Sequence, residues 1–455
     1  MMGQLAPAQN GLFYDFCLER HIPSDHLLRQ IDQFLDFGEI RRHLESFYSL
    51  TGRPSIDPEL MIRMLIVGYC YGIRSERRLC EEVNFNLAYR WFCRIGLEDD
   101  VPDHSTFSKN RHGRYRASNL FRYVFDTVVQ RCMSEGLVKG EGFAIDASFV
   151  KADVSRQRAI RSNEPIDWGP STTQTRAVRE YFDALDEDPW LRRKQKSVSL
   201  TDPMAQWTAA KGPAIFAYST NYMADVEHGV IMDVEASPST NQAEVHTTRI
   251  MIERIESTHQ VKPKRLMGDT AYGAAANLGY LVDEKGIDPH MPVFDKSERI
   301  DGTLSRSNFL WKEDSNEYRC PADKPLRSSG RVNRDETIRY RASTHDCKEC
   351  PLKPSCCPNT PARKVTRSVY EHARDIARDI YSSPDYKKSF DQRKTVEMLF
   401  GHMKRNLNFW RLRLRGIKSV NDEFLLVATA QNLRKLAKLC GQSPPDRWIG
   451  VPAVP

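Results

Sequence analysis

The chain has 455 residues, 40% of them apolar and 28% charged, with a formal net charge of +7. A length of this order accommodates two to four domains with large apolar cores. A membrane-spanning chain is excluded, because the longest apolar stretch, Met64 to Tyr71, is far too short to cross a bilayer and is flanked by Arg63 and Arg74. The N-terminus, MMGQLAPAQNG, lacks the charged start and apolar run of a signal peptide, so a cytosolic protein is expected. Its Lys and Arg are clustered at Arg74 to Arg78, Lys109 to Arg116 and Arg393 to Lys418, a distribution that favours a polyanionic partner.

Residues 1 to about 50 carry no strong period and read weakly as helical. Asp57-Pro58-Glu59 then places an N-cap, a proline at the first helical position and an acid at the positive helix end, opening a helix through Leu60, Met61, Met64 and Leu65. Arg74 to Val83 and Asn86 to Ile95 read as two further short helices separated by a two-residue break. Such a trio resembles a helix-turn-helix DNA-binding unit, and equally a plain helical bundle. The following segment, Lys109 to Arg116, has no acidic residue; Lys109 and Arg111 suit a phosphate backbone, and a solvated loop is the competing reading. Phe121, Val124, Phe125, Val128, Val129 and Cys132 recur at helical spacing up to Gly136.

Gly142 to Val150 reads as a strand with Phe143, Ile145 and Phe149 on one face and Ala144, Asp146 and Ser148 on the other. An acid inside an apolar strand is costly unless it is paired, which marks Asp146 as a functional candidate. Residues 151 to 211 are polar and charge-rich, a long loop or helical excursion whose acids Asp183, Asp186, Glu187 and Asp188 look solvated. Strand character returns at Ala214 to Tyr222 and Gly229 to Glu235, a hairpin about Glu227-His228-Gly229, followed by a helix from about Gln242 to Ser257. Lys264 to Asp269 is a short strand ending in an acid just before a helix opened by Gly273, the place where ligands bind in open α/β sheets. Ile287 to Phe294 completes the sheet.

From Arg393 to Lys418 there are eight Lys/Arg and one acid, Glu397. At about 3.6 residues per turn, Arg393, Glu397 and Lys404 share one helical face, with Met398, Leu399, Leu407 and Trp410 available for apolar contact beside it. Taken locally, Arg393 and Glu397 make a surface ion pair worth a few tenths of a kcal/mol. The other reading makes Glu397 a metal ligand among phosphate-binding cations, and upstream carboxylates decide between the two.

The motifs IDASFVKAD around Asp146, TDPMA and KGP around Asp202 and Lys211, MGDTAYG around Asp269 and RKTVEMLFGHMKRNLNF around Glu397 occur in that order. With them the chain, from about residue 50 to 440, resembles the DDE transposases of bacterial insertion sequences, in the branch with a cysteine-bearing insertion. The resemblance implies an α/β fold: a ribonuclease-H-like mixed sheet flanked by helices, with an all-α N-terminal domain (1–135). The core (140–294 and 386–440) is interrupted by a small cysteine-rich, zinc-ribbon-like insertion (295–385), and a loose tail follows (441–455). It also implies that Asp146, Asp269 and Glu397 hold two Mg²⁺ or Mn²⁺ ions and that Arg393, Lys404 and Arg405, with Lys109 and Arg111, bind DNA. The family's Tyr-Arg-Glu-Lys spacing is kept by Arg393, Glu397 and Lys404, while Phe390 stands in the tyrosine position.

Five of the eleven cysteines fall between Cys320 and Cys357. Cys347 and Cys350, spaced as a metal knuckle, join Cys320 and Cys356 as a tetrahedral Zn²⁺ set, with Cys357 as the alternate fourth ligand. The competing reading is reduced cysteines in a loop domain; too few large apolar residues in the segment to fold alone favours zinc. Phe424, Leu425, Val427, Ala428, Leu433, Leu436 and Leu439 read as a closing helix against the sheet.

The resulting expectation is a metal-dependent enzyme that binds the terminal inverted repeats of its element, cleaves double-stranded DNA and transfers the 3′ ends to target DNA, as a homodimer on DNA. A nuclease of the same fold without strand transfer and a retired zinc-containing DNA-binding regulator are the rivals.

Overall fold

Strand β1 (Gly142–Lys151) lies inside the main sheet: Gly142 to Ile145 are buried on both faces, and Asp146 to Phe149 are half-buried. The structure, a computed structural model, describes residues 16–49, 51, 55–161, 164–187, 196–209, 212–295 and 297–441. Lys211 and Asp188 lie outside the described residues.

After β1 come β2 (Ala159–Arg161) and β3 (Ser197–Ser199), which pair with each other. The main sheet then continues with β4 (Gln206–Thr208), β5 (Ile215–Asp225), β6 (Ile231–Pro238), β7 (Arg265–Met267) and β8 (Asp288–His290). Its order is β4-β5-β1-β7-β8, with β6 sharing the outer edge of β5. β1 runs antiparallel to β5 and parallel to β7, and β7 runs parallel to β8, so the sheet is mixed. The β5–β6 hairpin turns at Gly229, whose φ of +66° suits a residue without a Cβ, and Asp225 Oδ1 accepts from the backbone N–H groups of Glu227 and His228, both at 3.0 Å. The stretch between β1 and β5 is more structured than a loop, since it holds these short strands and the helix Arg176–Glu187.

The N-terminal helices form as their caps direct. The Asp57 side chain accepts from Glu59 N–H, and the helix Pro58–Cys70 that follows is buried from Met61 through Cys70, which explains an apolar run that shows little sidedness. Asn86 both ends the helix Glu76–Phe85 and caps Leu87–Phe92, so the break is one residue rather than two. The closing helix Ile417–Cys440 packs against β6, Leu120–Ser134 and Pro58–Cys70, and one apolar core runs from the N-terminal helices into the main sheet. Leu439, expected in that core, is 49% exposed on the last turn.

Beyond β8, strands β9 (Leu310–Lys312), β10 (Glu317–Arg319), β11 (Pro325–Arg327), β12 (Thr337–Ala342) and β13 (Lys364–Ser368) form a second sheet, antiparallel in the order β13-β12-β11-β10-β9. Its core is aromatic: Trp311, Tyr318 and Tyr340 have ring centroids 5.0 to 5.4 Å apart, packed with Phe309, Leu326 and Val365. This second cluster is small beside the main core, eight buried residues gathered around three large rings. Asp295 and Glu371 hold the base of this sheet through Arg306, Arg374 and Arg378. The helix Glu371–Tyr381 then returns to the main sheet and packs on β8 and Ala275–Gly279, so closely that a Cβ on Gly279 would lie 2.2 Å from the Tyr370 ring.

Candidate active site

Parallel pairing of β1 with β7 sets Ala144 opposite Met267. Asp146 and Asp269 are each two residues further along, at the carboxyl ends of the paired segments, where neighbouring strands are about 4.8 Å apart. Asp269 is exposed and caps the turn that follows, its Oδ1 accepting from Ala271 N–H at 2.8 Å. Asp146 Oδ1 accepts from the next backbone N–H, that of Ala147, at 2.8 Å.

The helix Pro384–Arg405 lies across these strand ends and is pinned on both sides of Glu397. Upstream, the Arg265 guanidinium on β7 donates to Ser389 Oγ at 3.1 Å and to Gln392 Oε1 at 3.0 Å. Downstream, Phe400 stacks on Tyr222, the residue paired with Asp146 in the register, with centroids 4.8 Å apart, and Lys404 Nζ donates to Ser148 Oγ at 2.7 Å. Arg393 and Glu397 fall between the two pins. Their ion pair is present at 3.2 Å, with side chains 19% and 52% exposed.

Electrostatics ties the three acids together. Burial pushes Asp146 up to about 6; the Ala147 N–H and Arg393 act against this, and Asp269 and Glu397 reinforce it. The Asp146 carboxyl is thus within electrostatic reach of Arg393, Asp269 and Glu397. Burial also draws the Lys404 amine below the usual lysine range. Among the described residues, no three His, Cys, Asp or Glu side chains stand at metal-holding spacing.

Other expected residues are placed differently. Arg111 is a correction: it is 4% exposed and paired with Glu76 at 2.5 Å, so its guanidinium is spent inside the helical region rather than turned to a DNA backbone. Its segment is helical, Ser105–His112 and Arg114–Ala117, and not a loop; Lys109 and, further on, Arg405 are exposed. Leu399 and Leu407 are buried as apolar contacts, whereas Met398 and Trp410 are 67% and 54% exposed. Past the helix, Arg411 and Arg415 both bind Asp153, at 2.8 and 2.9 Å, so part of the basic run is neutralised by the end of the IDASFVKAD motif. Phe390 is exposed, with Arg393 5.9 Å from its ring centroid and Tyr386 one turn earlier on the helix.

In the second sheet, Cys320, Cys347, Cys350, Cys356 and Cys357 line one small cavity of about 20 Å³. Cys320 Sγ accepts from Lys324 N–H at 3.3 Å. Burial and the adjacent Cys357 push the Cys356 thiol up to about 11.

Residues 16–113 match a family described as a transposase domain (DUF772), and residues 319–437 match the transposase DDE domain. The second match takes in Arg393, Glu397 and Lys404 together with the cysteines, and it begins after the strands that carry Asp146 and Asp269. Among the described residues no helix is long and apolar enough to cross a membrane. Two transposase-domain matches in one chain, the later one taking in the glutamate helix, support a DDE transposase of the insertion-sequence type.

Proposed function

We propose that the chain binds the terminal inverted repeats of its own element, cleaves the DNA there by phosphodiester hydrolysis, and transfers the resulting 3′ ends to target DNA. What supports this reading is that Asp146 and Asp269 follow the paired segments of neighbouring parallel strands, that Glu397 is on the helix pinned to those strands, and that Asp269 and Glu397 both act on the Asp146 carboxyl. The main sheet's mixed order suits the ribonuclease-H-like fold that a DDE domain implies.

Three oxygen-donor side chains of like charge fit hard divalent cations, and Asp146, Asp269 and Glu397 are the residues that would hold two Mg²⁺ or Mn²⁺. Such ions, when bound, supply Lewis-acid stabilisation of the attacking and leaving oxygens. The protein's own part is orientation. Ser148 holds Lys404 beside the acids, Arg265 and Tyr222 fix the helix on both sides of Glu397, and Arg393 and Lys404 offer charge-assisted hydrogen bonds to the phosphate being cut. Exposed Lys109 and Arg405 extend the contact to the DNA backbone. The helical N-terminal region (1–135) recognises the ends, and a homodimer assembles on DNA because two ends are processed together.

Zinc in the second sheet belongs to the same proposal, held by Cys320, Cys347 and Cys350 with Cys356 or Cys357. What supports it is that all five cysteines line one small cavity.

The test is an end-joining assay. Full-length protein with Mg²⁺ and duplexes bearing the terminal repeats is expected to yield nicked ends and, from pre-cleaved ends, joined products; Asp269→Asn abolishes both and leaves end binding in place. Hydrolysis with no joined product means a nuclease without strand transfer. Binding without cleavage by the unsubstituted protein means a regulator.

A further inference from the structure

The strand pairing of the second sheet sorts its side chains onto two faces. Trp311, Tyr318, Leu326, Tyr340 and Val365 share the face that builds the aromatic core. Directly paired residues point the same way and successive residues alternate, so the opposite face carries Lys312, Arg319, Arg327, Arg339, Arg341 and Lys364. On these strands one acid shares that face. It is Glu317, held between Arg319 Nη2 at 2.9 Å and Arg327 Nε at 3.1 Å.

Arg327 is paired with Arg341, and Arg341 with Lys364, so three cations stand side by side on three adjacent strands. The Cβ atoms of directly opposed residues are only about 4.5 to 5.5 Å apart, and like charges so placed are destabilising. Arg339 adds a fourth cation two residues along β12. Arg339, Arg341 and Lys364 are exposed, and among the described residues their side chains make no hydrogen bond or ion pair. Protection of the sheet edges does not account for the row. Charges that keep a sheet from pairing edge to edge belong on its outermost strands, here β13 and β9, whereas Arg327 and Arg341 are on the interior strands β11 and β12.

We infer that this outer face of the second sheet is a docking surface for the phosphate backbone of duplex DNA. With strands about 4.8 Å apart, the row from Arg327 to Lys364 spans about 10 Å, a length over which each strand of a duplex presents about three phosphates. Arg and Lys give those phosphates charge-assisted hydrogen bonds. Contacts of this kind position a duplex without reading its sequence. The choice of DNA among polyanions rests on the proposed function, whereas the row of opposed cations is independent of it.

Duplex binding by the full-length protein, measured across salt concentrations, tests this. Arg339→Gln, Arg341→Gln and Lys364→Gln combined are expected to weaken binding at least about tenfold near physiological salt and to reduce the magnitude of the salt slope by about two to three. The melting midpoint without DNA stays the same or rises, because opposed like charges are removed. Should the triple variant fold poorly, Arg341→Gln alone decides, with an expected loss of about one in the slope. Wild-type affinity and slope in the variant overturn the inference and leave the proposed function standing. Unchanged duplex binding with lost binding to vesicles of anionic phospholipid, or with a changed oligomeric state, assigns the face to a membrane or to a second copy and overturns it too. No duplex binding by the unsubstituted protein overturns the proposed function and this inference together.

Discussion

Asp146, Asp269 and Glu397 come from three well-separated stretches and are assembled by the main sheet and the helix laid across it, whereas the five clustered cysteines come from one short stretch and line a cavity beside a small aromatic core. The first arrangement rests on an apolar core that also joins the N-terminal helices, and burial in it raises the Asp146 carboxyl above its ordinary value. The second has a core of few residues, and burial raises the thiols of Cys347 and Cys356. A large core can hold a destabilising site ready for a ligand, whereas a small one can be made stable by its ligand.

The largest effect expected of this contrast concerns the carboxylates. Glu397→Gln is expected to lower cleavage by on the order of 10³-fold with the melting midpoint unchanged or raised, read by gel assay and calorimetry. A lower midpoint would mean that the Arg393–Glu397 pair is structural after all. In the second sheet the reverse holds: Cys347→Ser is expected to remove one zinc per chain by metal analysis and to destabilise that sheet by on the order of 4 kcal/mol, seen as proteolysis between residues 295 and 370. Equal, negligible zinc in both proteins would remove the site. Tyr340→Ala, which empties a residue only 1% exposed, is expected to cost about 3 kcal/mol whether or not zinc is added, and so separates the aromatic contribution from that of the metal.

Asp146 gives a pH-dependent comparison. Its folded pKa, about 6, lies above the ordinary 3.8, so between these values the folded state holds more proton than the unfolded one, and stability falls as pH rises through that window. Asp146→Asn is therefore expected to stabilise the protein, without added divalent ions, by up to about 3 kcal/mol above pH 6 and by nothing below about pH 4, in denaturant titrations across pH. A gain that does not depend on pH would assign the effect to packing. The smallest effect is at the rim of the site: Lys404→Ala is expected to weaken DNA binding by about 1 kcal/mol or less and to reduce the magnitude of its salt slope by about one.

Much of the main sheet was legible because the alternation in Gly142 to Val150, the turn at Gly229 and the capping at Asp57 are local signals, and each element forms where its residues direct. Arg111 was misread for the opposite reason: a cation in an acid-free stretch looks solvated until a helix elsewhere in the chain brings Glu76 to it. The same holds for Met398 and Trp410, whose exposure depends on where the closing helix and β1 leave room, and for the three rings of the second sheet, which meet only through its strand pairing.

The sequence by itself determined which acids are available, in what order, and that Arg393, Glu397 and Lys404 share a helical face, because helical and strand periods are properties of the local chain. Only the tertiary structure decided that Asp146 and Asp269 each follow the paired segments of neighbouring parallel strands, and that Ser148 takes Lys404. Burial and charge coupling are set by what other segments bring to a residue, and no stretch of chain contains that information on its own.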